Sequence, residues 1–134
     1  MLFRSGRFVY VNYASNITAA EETLREIENR NGSGKLLPFD VTDKEASEAA
    51  VNQILEEKEQ IDILVNNAGI RDDMLMVWMG EENWKNVIDT NLTGFFNVSR
   101  LVVKSMLSKR SGRIINISST SGQMGMPGQV NYSA

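Results

Sequence analysis

The chain contains no cysteine and no histidine. The first absence excludes disulfides and thiolate metal sites. The second removes the commonest general base, the Ser-His-Asp triad and most zinc sites. Acid–base chemistry therefore falls to tyrosine, lysine, aspartate or glutamate, and no metal site is expected. A positive excess is lacking as well. The 14 basic and 17 acidic residues give a net charge of −3, whereas nucleic-acid binders carry a clustered positive excess. No apolar run reaches the roughly 18 residues of a membrane span, and residues 1–6 lack the apolar core of a secretory signal. The expectation is a soluble cytoplasmic protein with neither nucleic acid nor membrane as partner. What is present is an apolar fraction of 42% in 134 residues, enough for a packed core and suggestive of one domain.

The apolar residues alternate between two periods. Residues 8–13 are β-branched and aromatic and read as a strand. Ser15 or Asn16 can cap the helix that follows, in which Ile17, Ala20, Leu24 and Ile27 recur at helical spacing until residues 31–34 stop it. Residues 36–39 read as a second short strand. Asp43 then caps a helix with Ala46, Ala50, Val51 and Ile54 on one side. Residues 61–65 form a third strand, residues 81–109 a long helical region ended by Gly112, and residues 113–117 a fourth strand running into a Ser/Gly-rich loop over 118–128. Strands separated by helices of this length imply parallel pairing and right-handed crossovers, and their apolar runs imply helices on both faces. The fold class is α/β, a doubly wound parallel sheet. Ligands of such sheets bind outside the carboxyl ends of the strands, which directs attention to residues 12–16, Asp40-Val41, residues 66–69 and Ser118 onward.

Several of these places carry recognisable sequence. Asn66-Asn67-Ala68-Gly69 after an apolar strand resembles the N-N-A-G motif of the short-chain dehydrogenases/reductases. Asp40-Val41 closes the preceding strand as in that family. Asn91 and Gly94 resemble its helix-borne N-x-x-G. The run Arg113-Ile114-Ile115-Asn116-Ile117-Ser118-Ser119 resembles the strand leading to the catalytic serine, and Tyr132 follows Ser119 by the 13 positions the family uses. The resemblance extends from Gly6 to Ala134 and is nearest to the 3-oxoacyl-[acyl-carrier-protein] reductases, through Arg71-Asp72-Asp73-Met74-Leu75-Met76, Glu82-Asn83-Trp84 and Gly128-Gln129-Val130-Asn131-Tyr132. Two features depart from it. Residues 1–6 do not match the family's T-G-x-x-x-G-x-G loop, and the lysine of its Y-x-x-x-K motif would fall at position 136, beyond Ala134. By this resemblance, residues 1–134 are expected to be a partial Rossmann-type domain lacking the first and last strands, and to be inactive alone.

The resemblance also implies roles. Carbonyl reduction moves a hydride to carbon and a proton to oxygen, and the developing alkoxide needs a donor at hydrogen-bond distance. Tyr132 would supply that proton. An ordinary tyrosine titrates at about 10, and in the family the neighbouring lysine and the cofactor's positive ring lower that value. Ser119 would bond the substrate oxygen, and Asn91 would help hold a water chain. Asn67, Ala68 and Gly69, with small side chains, would let the backbone touch the cofactor's ribose. Asp40 and Val41 would flank its adenine, and Tyr132 would also face the cofactor.

Cofactor type is argued from the end of the first strand. An enzyme preferring NAD usually places an acid there for the ribose 2′-OH, but no acid follows until Glu21, and Ser15 matches the hydroxyl residue of NADP-using relatives. The expectation is therefore NADPH-dependent reduction of a 3-oxoacyl thioester in fatty-acid synthesis, with acyl-carrier-protein or CoA thioester as substrate. Two alternatives are open: a reductase of acetoacetyl-CoA or another carbonyl, and a non-catalytic nucleotide-binding remnant. In the family the long helix, here carrying Phe95, Phe96, Leu101, Val102 and Met106, builds a homotetramer interface.

Overall fold

The computed structural model describes residues 7–134. Residues 1–6, where the glycine-rich loop is not matched, lie outside the described residues. The described strands form two two-stranded parallel sheets, one in each of two compact units, the first ending at Asp40 and the second running from Val41 to Ala134. The α/β class and the parallel pairing agree with the alternation in the sequence.

The first unit is a single β-α-β arrangement. Strand β1, Phe8–Tyr13, pairs in parallel with β2, Ser33–Pro38, from Phe8↔Ser33 to Tyr13↔Pro38. Helix α1, Ile17–Asn29, lies between them in sequence. Of the two candidate caps, Asn16 does the work: its Oδ1 accepts from Ala19 N–H at 3.1 Å, satisfying a donor that has no partner within the helix. Ala20 and Ile27 face the core, while Ile17 at the first position is half exposed. The helix ends at a left-handed Asn31, with Gly32 N–H bonding back to Ile27 O at 2.9 Å, as in other helix ends of this kind. β2 begins at Ser33, three residues before the apolar run starts. Ser33 and Gly34, expected as part of the helix stop, belong to the ladder instead, together with Lys35. The reason lies in Gly34, where a Cβ would stand 2.5 Å from Val9 O and 2.9 Å from Leu24 Cδ1. Glycine here permits a close approach of strand and helix.

The second unit holds the other parallel pair, β3 (Ile63–Asn66) and β4 (Arg113–Asn116), in register from Ile63↔Arg113 to Asn66↔Asn116. Both strands are shorter than their apolar runs. Helix α2, Lys44–Lys58, starts at Asp43, whose Oδ1 accepts from Ala46 N–H at 2.9 Å. The helical stretch expected as one element over 81–109 is interrupted. Helix α3, Glu81–Ile88, passes into a π-helical turn, Asp89–Thr93, before α4, Gly94–Lys109. α2 and α4 pack on each other, and they contribute the buried Ser47, Ala50, Val51, Asn97, Val98 and Val102. At its first residue α4 also approaches the segment before α2: a Cβ on Gly94 would meet Val41 Cγ2 at 2.5 Å. α4 also packs on β3, whereas Ile114 and Ile115 of β4 stay over a third exposed, so the burial expected on both faces does not extend to β4. The Ser/Gly-rich segment contains a short helix α5, Ser121–Met124, followed by α6, Val130–Ser133. Of the apolar residues singled out on the long helix, Val102 is core, while Phe95 and Phe96 are exposed. Among the described residues no helix is long and apolar enough to cross a membrane.

Candidate active site

The carboxyl end of β3 is where the second unit concentrates its candidates. After Asn66 the chain runs through exposed Asn67, Ala68 and Gly69 without regular structure. It is held there by Asn91, at the centre of the π-helical turn. Asn91 Oδ1 accepts from Ile70 N–H at 2.8 Å, and its Nδ2 donates to Ile70 O at 3.0 Å. The side-chain amide thus mimics a backbone strand for one residue and satisfies both polar groups of Ile70. A π-helical turn widens the helix locally, and such turns are frequent at functional sites. Here it presents Asn91 to the loop, and a Cβ on Gly69 would already approach Asn91 Oδ1 at 3.4 Å.

At the carboxyl end of β4, Ile117 N–H donates to Asn66 O at 2.9 Å, and Asn66 Nδ2 donates to Asn116 Oδ1 at 2.9 Å and to Ser99 Oγ at 3.0 Å. These bonds lock the two strand ends side by side. Ser119 follows three residues after β4. Its Oγ accepts from Ser121 N–H at 3.1 Å, which leaves its own hydroxyl proton available as a donor. Tyr132 sits half-buried on α6, and its backbone N–H donates to Asn131 Oδ1 at 2.8 Å. α5 and α6 pack together, so the segments bearing Ser119 and Tyr132 are neighbours. Asn91 is bonded to the loop that begins at Ile70.

Val41 is held from two sides. Asn97 Nδ2 donates to Val41 O at 3.1 Å, and the Val41 side chain faces Gly94. In the first unit, Ser15 is exposed at the end of β1 and its carbonyl accepts from Ile17 N–H at 3.1 Å. Because Asn16 is the cap, the Ser15 hydroxyl has no capping duty. Asp40 is exposed at the end of the same unit. Among the described residues no group of three or more His, Cys, Asp or Glu could hold a metal ion. A hollow of about 320 Å³ lined by Val103, Met106, Leu107, Arg110 and Arg113 lies at the amino end of β4, the opposite end of the strand from these candidates.

Sequence reasoning missed Asn97, and it named Asn66, Asn83 and Asn131 as motif residues without their part in holding the loops. Asn97 is only 6% exposed and Asn131 only 2%. Asn66 and Asn83 join distant segments by side-chain bonds. One signal was available for Asn97, a lone amide between Phe96 and Val98 on an apolar helix. A buried amide survives only when its hydrogen bonds are satisfied, so such a position advertises a partner without naming it.

The sequence profile of the short-chain dehydrogenases matches residues 1–134, and the chain belongs to that family. It is 44% identical over 133 residues to the 3-oxoacyl-[acyl-carrier-protein] reductase of Synechocystis sp., covering 99% of this chain and 54% of that protein. It is 41% identical over 133 residues to the 3-oxoacyl-[acyl-carrier-protein] reductase FabG of Staphylococcus aureus, with the same shares covered. With FabG of Haemophilus influenzae it shares 50% over 101 residues, 75% of this chain and 42% of that one. The chain spans about half the length of the curated relatives it matches.

Proposed function

We propose that the protein carrying this chain reduces a 3-oxoacyl thioester to the 3-hydroxyacyl thioester with NADPH, as a cytoplasmic enzyme of fatty-acid synthesis acting on acyl-carrier-protein or CoA thioesters. The observation that carries the reading is the reciprocal pair of hydrogen bonds between the Asn91 amide and the Ile70 backbone. They anchor the chain at Ile70, directly after the exposed Asn67-Ala68-Gly69 at the carboxyl end of a parallel strand, where dinucleotides bind in sheets of this class. The names of the relatives support the choice of substrate.

The chain fits a nicotinamide dinucleotide. In the second unit, small side chains at Ala68 and Gly69 leave the backbone open to a ribose; by the family resemblance Asp40 and Val41 would flank the adenine, and Ser15 at the end of β1 would offer a hydroxyl where no carboxylate stands. When bound, the cofactor supplies the hydride. Tyr132 would lie beside it and give its phenolic proton to the carbonyl oxygen as negative charge develops there. Ser119, its Oγ already fixed by Ser121 N–H, donates to the same oxygen and holds the carbonyl in line. Asn91 keeps the loop rigid and supports the water that returns the proton to Tyr132. The exposed Phe95 and Phe96 on α4 supply apolar surface for a homotetramer.

The test is NADPH oxidation by the complete reading frame that contains these residues, with acetoacetyl-acyl-carrier-protein and acetoacetyl-CoA. Turnover should occur, and Tyr132→Phe should lower kcat by about 10²–10⁴-fold, the usual contribution of a positioned proton donor. Tight NADPH binding without turnover of either thioester would overturn the reading in favour of a nucleotide-binding protein. Full activity in Tyr132→Phe would remove Tyr132 from it.

A further inference from the structure

Tyr132 sits on a helix of only four residues, α6, and a single turn has little rigidity of its own. Something else must fix it. Asn131, one residue earlier, is 2% exposed, and every hydrogen-bonding position of its amide that the structure fills goes to backbone. Its Nδ2 donates to Asp72 O at 3.1 Å and to Asn83 O at 3.2 Å, and its Oδ1 accepts from Tyr132 N–H at 2.8 Å. The carbonyls it grips are themselves braced. Asn83 Nδ2 donates to Asp72 Oδ2 at 2.8 Å, and Asn83 Oδ1 accepts from Gly80 N–H at 3.1 Å at the start of α3. Beside it, Gln129 Nε2 donates to Asp73 Oδ2 at 3.0 Å, and Met74 N–H donates to Gly128 O at 2.7 Å.

The stretch 70–74 is therefore bonded at one end to Asn91 and at the other to the segment carrying Tyr132. The geometry points to Asn131 as a positioning residue: its amide clasps the Tyr132 turn to the 72–83 segment and so fixes the tyrosine relative to Asn91. This rests on the proposed role of Tyr132. Asn131 itself touches no reacting atom. Aspartate keeps the acceptor for Tyr132 N–H but loses both donors, and alanine loses all three bonds. A misplacement of the order of 1 Å is enough to lower a rate about 100-fold.

In the complete reading frame, Asn131→Ala should lower kcat by about 10–100-fold and leave KM for NADPH within about twofold. It should also abolish the hydrogen-exchange protection of the Tyr132 amide. If Asn131→Ala does not fold, the nearly isosteric Asn131→Asp should show the same split. Because Asn131 acts through the tyrosine, Asn131→Ala should cost nothing further in a Tyr132→Phe background. Unchanged kcat with a lowered melting temperature would overturn the proposal, as would an additive loss in the double variant. Full activity in Tyr132→Phe alone would instead sink the catalytic role of Tyr132. Amide exchange in Asn131→Ala would still report whether Asn131 holds the turn, so the two failures are distinguishable.

Discussion

The two units of this chain are held together by different means. The first, up to Asp40, is a six-residue parallel ladder covered by one amphipathic helix, with Ala20, Ile27 and Leu37 as its buried apolar residues. Across its ladder the Asn12 amide donates to Leu37 O at 3.2 Å and to Phe39 O at 2.8 Å. The second has a ladder of four residues and relies on amides to join its loops: Asn66, Asn83, Asn91, Asn97, Gln129 and Asn131 each bond a segment distant in sequence. Burial of apolar area is non-directional and organises regular elements. Loops that must present backbone and hydroxyls in one geometry need directional bonds instead. The candidate catalytic residues all fall in the second unit.

The largest effect that probes this contrast is on apolar packing. Ile27 is 1% exposed, and Ile27→Ala should cost about 2–5 kcal/mol through lost burial and the cavity left behind. In native-state hydrogen exchange the amides of β1 and β2 should lose more protection than those of β3 and β4. Equal loss in both ladders would break the comparison and make the chain one cooperative unit.

Next comes a directional bond. Asn91→Ala leaves Ile70 N–H and O without their partner. Because Ile70 is exposed, water can replace the amide, and each lost bond should cost about 0.5–1.5 kcal/mol. The total should stay below that of Ile27→Ala, because Asn91 is only half-buried. Yet the functional loss should be the greater of the two: kcat should fall while the β1–β2 ladder keeps its exchange protection. A variant that is destabilised but turns over normally would show that the Asn91 pair serves stability alone.

The same contrast explains what the sequence made legible. In the first unit helical spacing located α1 with its buried face at Ala20 and Ile27, though Ile17 proved half exposed; β2 ends at Pro38 rather than Phe39, and its start at Ser33 was misplaced because the pairing of Gly34 with Val9 is a contact between segments 25 positions apart. In the second unit the motif residues were found by resemblance, but the break of one helix into α3, π-helical turn and α4 was not. The apolar period runs on through residues 89–93 with no proline to mark the widening. Nor does α6 announce itself, since four residues carry too little period to read. The partners of Asn83, Asn97 and Asn131 are set by tertiary proximity, which composition and spacing do not contain.

The smallest effects concern cofactor choice at the end of β1. An aspartate introduced there should repel a ribose 2′-phosphate, and the structure chooses its position. Asn12 is unsuitable, because its amide bonds Leu37 O and Phe39 O, and Tyr13 belongs to the ladder. Ala14 is exposed and lies outside the strand, so Ala14→Asp adds charge without breaking a bond. At 4–6 Å and an effective dielectric of about 20, the bare repulsion is about 3–4 kcal/mol. Screening at an exposed site should reduce this to about 1–2 kcal/mol, or about tenfold in the ratio of kcat/KM for NADPH over NADH. Ser15→Ala should do less. It removes one hydroxyl donor at a position open to water, worth about 0.5–1 kcal/mol, or about two- to fivefold in the same ratio. Because Asn16 rather than Ser15 caps α1, this loss should come without a change in melting temperature. If the parent protein already turns over faster with NADH, the end of β1 does not set the preference. If Ser15→Ala shifts stability instead of selectivity, the hydroxyl serves the helix start after all, and the start of α1 would then rest on Ser15 as well as on the Asn16 cap.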